Sequence, residues 1–181
     1  MKELSLHILD IMQNSIVAGA SLVELTVIED KEADVLKFTI SDNGCGMSSE
    51  MLKRVTDPFT TSRTTRKVGM GIPLLKLAAE NTGGGIELSS EVGVGTVISA
   101  TFGYSHIDRQ PLGDMAETIL GIVASYEETD FVYIHRVNDK EYKLDTREIK
   151  TVLGGVSLRQ PEVTIWLKGY LEENENELYN N

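Results

Sequence analysis

Cysteine, histidine and cationic residues are all scarce in this chain. It holds one Cys and three scattered His among 181 residues, which excludes an internal disulfide and gives no zinc-binding spacing. Its 17 Lys and Arg residues stand against 28 Asp and Glu, so the net charge is −11. A charge of that sign argues against a general nucleic-acid-binding surface.

Long apolar runs and a secretory leader are also missing from the sequence. Charge or Gly interrupts every apolar stretch well before the roughly 18 residues that a membrane span needs. The N-terminus has neither the basic region nor the cleavage site of a signal peptide. We therefore expect a protein of the reducing cytoplasm whose partners include neither a membrane nor a nucleic acid.

The residues that are present form the pattern of a globular protein with helices and strands. Apolar residues at helical spacing predict helices over 3–19 and 71–82. Alternation of apolar and polar residues predicts a β-hairpin over 22–42 and a second one over 86–102. Because helices and strands do not alternate strictly, we expect a mixed α/β layered fold rather than a doubly wound one.

The sequence changes character after Tyr104, and we predict a division into residues 1–104 and a small α/β extension, residues 105–181. The elements predicted in the extension are a helix over 113–126, a hairpin over 131–146, a helix over 146–153, a final strand over 162–171 and a solvated acidic tail over 172–181.

The first helix carries two polar residues in an apolar environment. Asp10 and Asn14 are four residues apart and therefore lie on one helical face. Burying them without partners would cost about 1–3 kcal/mol each. The spacing therefore indicates either a satisfied polar pair in the core or a pair that faces a wet cleft.

Three glycine-rich segments follow this helix along the chain: DNGCG over 42–46, GMG over 69–71 and GVGT over 93–96. Each alone is typical of a turn. Gly69 and Gly71 precede a predicted helix, whose free N-terminal amides and dipole favour phosphate.

Together and in this order, the four segments resemble the N, G1 and G2 boxes and the terminal GxGT of the GHKL ATP-binding superfamily. Histidine kinases, DNA gyrase B subunits, MutL mismatch-repair proteins and a heat-shock chaperone are members. The resemblance covers about residues 3–104. It implies a two-layer α/β sandwich, with a mixed sheet covered by helices on one face and ATP bound with Mg²⁺ between helices and a lid.

The resemblance also implies roles for individual residues. Asn14 would be the Mg²⁺ ligand, Asp10 the general base, and Asp42 the acceptor of the adenine amino group. The remaining nucleotide contacts would be Gly44, Gly46, Met47, Arg63, Lys67, Gly69, Met70, Gly71 and Thr96. Arg63 and Lys67 belong to a basic island in a loop over 56–69 that we expect to be mobile and to close over the triphosphate.

Three activities are compatible with this resemblance. The first is a slow ATPase or nucleotide-gated switch that signals to an unidentified protein partner, with a homodimer among the allowed assemblies. The second is a protein kinase similar to stand-alone anti-sigma serine kinases, and the third is a non-catalytic nucleotide sensor. Asp10 is one methylene shorter than the glutamate of the ATPase members, which favours slow hydrolysis.

Overall fold

The computed structural model describes residues 2–57 and 71–180. Most of the predicted lid loop lies outside the described residues. Four candidate nucleotide contacts lie outside them as well: Arg63, Lys67, Gly69 and Met70.

The described part of the chain contains six strands and six helices. The strands are β1 (Leu22–Asp30), β2 (Val35–Asp42), β3 (Gly85–Glu91), β4 (Gly95–Gly103), β5 (Asp130–Val137) and β6 (Lys140–Asp145). The helices are α1 (Leu4–Val17), α2 (Ser49–Val55), α3 (Gly71–Glu80), α4 (Met115–Ser125), α5 (Thr146–Leu153) and α6 (Pro161–Tyr179). No helix among these residues is long and apolar enough to cross a bilayer.

All six strands form one sheet in the order β3-β4-β2-β1-β5-β6. Every neighbouring pair is antiparallel except β1 and β5, which run parallel. The expected mixed sheet with helices is therefore confirmed. Residues 105–181 extend the same sheet through β5 and β6, and the division of the chain at residue 104 stays a prediction.

The core lies between one face of this sheet and the helices. Every second residue of β1 and β2 is buried, including Leu25 and Phe38, whereas the Thr26 side of the sheet is only partly covered. This alternation is typical of an antiparallel sheet with one solvated face. Ile8 of α1 and Leu75 of α3 pack into the same apolar cluster.

The C-terminal prediction is wrong, because residues 161–179 form one long helix. Neither the final strand over 162–171 nor the solvated tail over 172–181 is present. The apolar alternation over 163–167 is strand-like, but Ile165 is 72% exposed while Val163 and Leu167 are buried. Leu171 and Leu178 continue that buried face, and packing of the helix against the core overrides local propensity.

A buried polar cluster, which we call the His135 cluster, joins α6 to the sheet. His135 on β5 contacts Glu29 of β1 through Nε2 at 3.0 Å and Glu175 of α6 through Nδ1 at 2.9 Å. Three tyrosine hydroxyls complete the cluster by donating to these carboxylates: Tyr133 and Tyr142 to Glu175, and Tyr179 to Glu29. The supposed tail is therefore anchored by Glu175 and Tyr179.

The cluster keeps His135 protonated at neutral pH. Burial alone would lower the pKa of His135, but hydrogen bonds to Glu175 and Glu29, together with their negative charges, raise that pKa to about 9. The same contacts outweigh burial at both glutamates and lower the pKa of each. One buried cation is thus held between the buried carboxylate of Glu29 and the partly buried carboxylate of Glu175.

Replacing His135 by Gln is expected to lower the free energy of unfolding by roughly 3–5 kcal/mol near pH 6, because the buried carboxylate of Glu29 and the partly buried one of Glu175 lose their shared cation. The raised pKa fixes the sign of the pH dependence. The His135 contribution is fully present below its unfolded pKa of 6.5 and is lost as pH rises through about 9. Urea unfolding of the parent and of His135→Gln at a series of pH values spanning this window measures the difference between their free energies of unfolding.

The matched control is His106→Gln, since His106 is exposed on the segment before α4. We expect this control to stay within about 0.5 kcal/mol of the parent at every pH. If the loss of unfolding free energy in His135→Gln did not decrease toward alkaline pH, that result would contradict a protonated His135 in the cluster.

Candidate functional site

The two polar residues of α1 lie at the boundary between the core and solvent. Asp10 is half-buried and Asn14 is exposed, while Ile8 and Met12 of the same helix are buried. Neither polar side chain is enclosed in the core. The arrangement excludes a polar pair buried in the core, and the cleft that the pair would face stays a prediction.

The start of α3 packs directly against Asp10. A Cβ atom added to Gly71, the first residue of α3, would lie 1.9 Å from Asp10 Oδ2. The first amides of a helix have no partners within the helix and carry its positive dipole end. The structure therefore places an anion-favouring helix end beside the Asp10 carboxylate, and a side chain at position 71 would require that carboxylate to move.

Asp42 ends β2 with both carboxylate oxygens engaged. Oδ2 accepts a 2.6 Å hydrogen bond from the hydroxyl of Ser15, and Oδ1 accepts a 2.9 Å bond from the amide of Gly44. A side chain at Gly44 would approach Oδ1 to 3.1 Å, so Gly keeps this amide close. Sequence reasoning missed Ser15, although its place directly after Asn14 on α1 was a usable signal.

The turn after Asp42 requires glycine for steric reasons. Gly46 has a φ of +68°, and a Cβ there would lie 2.0 Å from the carbonyl oxygen of Glu91. The Cys45 amide donates to the Ala18 carbonyl at 2.9 Å, and the Cys45 carbonyl accepts from the Gly93 amide at 2.8 Å. The turn is thus fixed between α1 and the β3–β4 hairpin.

Thr96 lies beside Asp42, because the two residues are partners in the β2–β4 register. The Thr96 hydroxyl is 2.8 Å from the hydroxyl of Ser90, which accepts from the Met47 amide at 2.7 Å and donates to the Gly95 carbonyl at 2.9 Å. Ser90 belongs to no motif, so only the pairing of β3 with β4 shows its place.

The structure thus brings the described candidate residues to two neighbouring places. Asp10, Asn14 and Gly71 lie where α1 meets the start of α3. The other group gathers at the end of β2 and the adjoining strands: Asp42, Gly44, Gly46, Met47 and Thr96. Their individual roles toward a nucleotide stay predictions.

Comparison with known families identifies the family of the N-terminal part of the chain. Residues 2–106 match the family of histidine kinase-, DNA gyrase B-, and HSP90-like ATPases. The chain belongs to this family. The resemblance seen in the sequence motifs is confirmed, and this GHKL family is one of ATP-binding domains.

The curated relatives that match in sequence are much longer proteins. One is the non-motile and phage-resistance protein of Caulobacter vibrioides, 33% identical over 98 residues that make up 51% of this chain and 12% of that protein. Another is a putative sensor protein of Shewanella frigidimarina, 32% identical over 103 residues, which are 56% of this chain and 16% of that protein. The chain therefore matches less than a fifth of either relative.

Solved structures share the fold at low sequence identity. The Aquifex aeolicus MutL ATPase domain complexed with ADP aligns with a TM-score of 0.51 and 15% identity, over 85% of this chain and 70% of that one. The N-terminal domain of a DNA repair protein aligns with a TM-score of 0.54 and 12% identity, over 99% of this chain and 57% of that one. The shared fold thus extends beyond residue 106.

Gly71→Ala tests the contact between α1 and α3. The added methyl group would force the Asp10 carboxylate aside or shift the start of α3, so we expect ATP affinity to fall by roughly tenfold, or about 1.4 kcal/mol. Isothermal titration with ATP in the presence of Mg²⁺ measures it. The matched control is Gly121→Ala in α4, where an added Cβ meets nothing within 4 Å. Equal affinities in the two variants would show that this contact is irrelevant to binding.

Proposed function

We propose that this domain binds Mg-ATP between α1 and α3, hydrolyses it slowly, and acts as a nucleotide-gated switch toward a partner protein. The observation that carries the proposal is the Asp10 carboxylate packed against Gly71 at the start of α3, one helical turn from the exposed Asn14. Membership of the ATPase family supports it.

At the base-binding end, Asp42 supports selection of ATP over GTP. Its two oxygens already accept from Ser15 and Gly44, which fixes the carboxylate while leaving further lone pairs. A carboxylate accepts from the amino group of adenine, whereas guanine presents a carbonyl oxygen at the same position. Two acceptors facing each other are unfavourable, so guanine would be rejected.

At the phosphate end, the side chains fit a magnesium ion. Mg²⁺ prefers hard oxygen ligands, keeps several waters and shares the phosphate oxygens of its nucleotide, so one protein oxygen suffices. Asn14 supplies a neutral amide oxygen, which adds no negative charge beside the phosphates. When bound, the ion would offset the charge of the triphosphate. The N-terminal amides of α3 add donors for the same phosphates.

Asp10 is the base of the proposed hydrolysis. It would accept a proton from the attacking water as the new bond to the γ-phosphorus forms and the bond to the β-phosphate oxygen breaks, releasing ADP and phosphate. An aspartate reaches about one methylene less far than a glutamate, and a displacement of about 1 Å slows such a step substantially. Slow turnover suits a switch better than a metabolic enzyme.

The continuous sheet supports a signalling role for residues 105–181. Strand β5 pairs with β1 from Leu22 to Glu29, and β1 pairs with β2, which ends at Asp42. A structural change at the base-binding end could therefore reach the C-terminal segment through only two strand pairs, β2 with β1 and β1 with β5. A kinase that transfers phosphate to another protein is the second candidate, because the matched family is described as histidine kinase-like among others.

Asp10→Asn separates catalysis from binding. The amide keeps the shape and polarity of the carboxylate but cannot accept the proton, so we expect hydrolysis to be abolished with ATP affinity changed less than about threefold. Asp10→Glu is expected to raise the rate by restoring reach. Single-turnover assays with radiolabelled ATP measure both, and Asn14→Ala should lower binding and turnover together.

The same assay distinguishes the alternatives. If Asp10→Asn hydrolysed ATP at the rate of the parent, Asp10 would not be the general base. Labelled partner protein instead of free phosphate would indicate the kinase, and intact ATP in every variant would indicate a sensor.

Asp42→Ala tests the base-binding end. Loss of a hydrogen bond to a charged acceptor is expected to cost about 1.5–3 kcal/mol, which is more than tenfold in ATP affinity. Titration of the parent with ATP and GTP gives the selectivity. Equal affinity for the two nucleotides, or unchanged ATP binding in the variant, would be incompatible with adenine recognition by Asp42.

A further inference from the structure

The hydroxyl of Ser90 has all of its hydrogen-bonding capacity assigned. A serine hydroxyl has one proton to donate and two lone pairs that accept. The Gly95 carbonyl, 2.9 Å away, can only accept, so Ser90 gives its proton there. The Met47 amide, 2.7 Å away, can only donate, so it occupies the first lone pair.

The second lone pair of Ser90 determines the orientation of Thr96. The two hydroxyl oxygens are 2.8 Å apart, and the Ser90 proton is already given to Gly95. The proton of this bond must therefore come from Thr96. Since Thr96 has a single hydroxyl proton, its hydroxyl can act toward any ligand only as an acceptor.

We propose that Ser90 is a positioning residue that fixes Thr96 as a hydrogen-bond acceptor and thereby makes the site selective for 6-aminopurine over 6-oxopurine nucleotides. The inference rests on the proposed function, since it requires the base to bind at Asp42. Thr96 and Asp42 are register partners on the same inner face of the sheet. Two neighbouring acceptors accommodate the amino group of adenine and repel a carbonyl at that position.

Ser90 also connects the two segments that form this end of the site. Through the Met47 amide it holds the turn that follows Asp42, and through Gly95 and Thr96 it holds the start of β4. Ser89, its neighbour in β3, is exposed, and its side chain points to the opposite face of the strand. The two serines differ in this respect although they are adjacent in sequence.

ATP and ITP are the probes, because inosine differs from adenosine by the 6-carbonyl and the N1 proton alone and adds no 2-amino group. In Ser90→Ala, Thr96 is free to rotate and to donate its proton to the inosine carbonyl. We expect the ratio of ITP to ATP dissociation constants to fall by about 3–10-fold, the value of one neutral hydrogen bond. Isothermal titration of both nucleotides measures it.

Ser89→Ala is the matched control and should keep the parent ratio, as should Ser90→Thr, which retains a hydroxyl. A Ser90→Ala protein that loses affinity for both nucleotides equally would overturn the proposal, because a merely structural role leaves the ratio unchanged. If Ser90→Ala fails to fold, Thr96→Val replaces it. The valine neither donates nor accepts, so the ratio must again fall, and an unchanged ratio overturns the inference.

Failure of the two proposals is distinguishable in the same titrations. A parent protein that binds neither nucleotide would overturn the proposed function and this inference with it. A parent that prefers ATP, with an unchanged ratio in the variants, would overturn the role of Ser90 alone.

Discussion

The position of α1 over the end of β2 is the constraint on which the rest of the site depends. The 2.6 Å bond from Ser15 to Asp42 fixes where the helix lies on the sheet, and the Cys45–Ala18 bond repeats that fixation one turn later. Once α1 is placed, Asp10 meets the start of α3, and Asn14 follows one helical turn later. One end of the candidate site is therefore built on α1 and the start of α3, and Ser15 of the same helix fixes Asp42 at the other end, which suits a site needing precise geometry.

The C-terminal segment is held by a different kind of interaction. Helix α6 meets the sheet partly through apolar residues such as Leu167 and Leu171, and partly through a buried cation between two carboxylates. Such a charged network contributes little net stability compared with an apolar contact, but it is strongly dependent on every member being present. The segment is consequently docked in one specific position, and that position fixes β5 alongside β1.

Most of the fold could be predicted because the hydrophobic periodicity is strong and the turns are marked by glycine. The β1–β2 and β3–β4 hairpins and helix α1 are examples. Helix α6 could not, because its consecutive residues Val163, Thr164 and Ile165 are β-branched and favour a strand, so that local preference contradicts tertiary packing.

The candidate site was predictable to the extent that its residues belong to short motifs. Asp10 and Asn14 were singled out by their helical spacing, and the role predicted for Asp42 came from the resemblance of its motif to the GHKL superfamily. Ser90 was not predictable, because its partners Met47 and Thr96 are brought to it by strand pairing and by a turn, neither of which leaves a signal at position 90 itself. Supporting residues of this kind can be recognised only from their contacts in the three-dimensional structure.

The parallel pairing of β1 with β5 bears on where the chain can be divided. The family match ends at residue 106, before β5 begins. A chain ended there would leave β1 as an edge strand, with a row of backbone N–H and C=O groups free to pair with another molecule. It would also leave the inward-facing Glu29 without its histidine partner. Strand β5 thus protects the segment that matches the family, residues 2–106, from edge-to-edge aggregation.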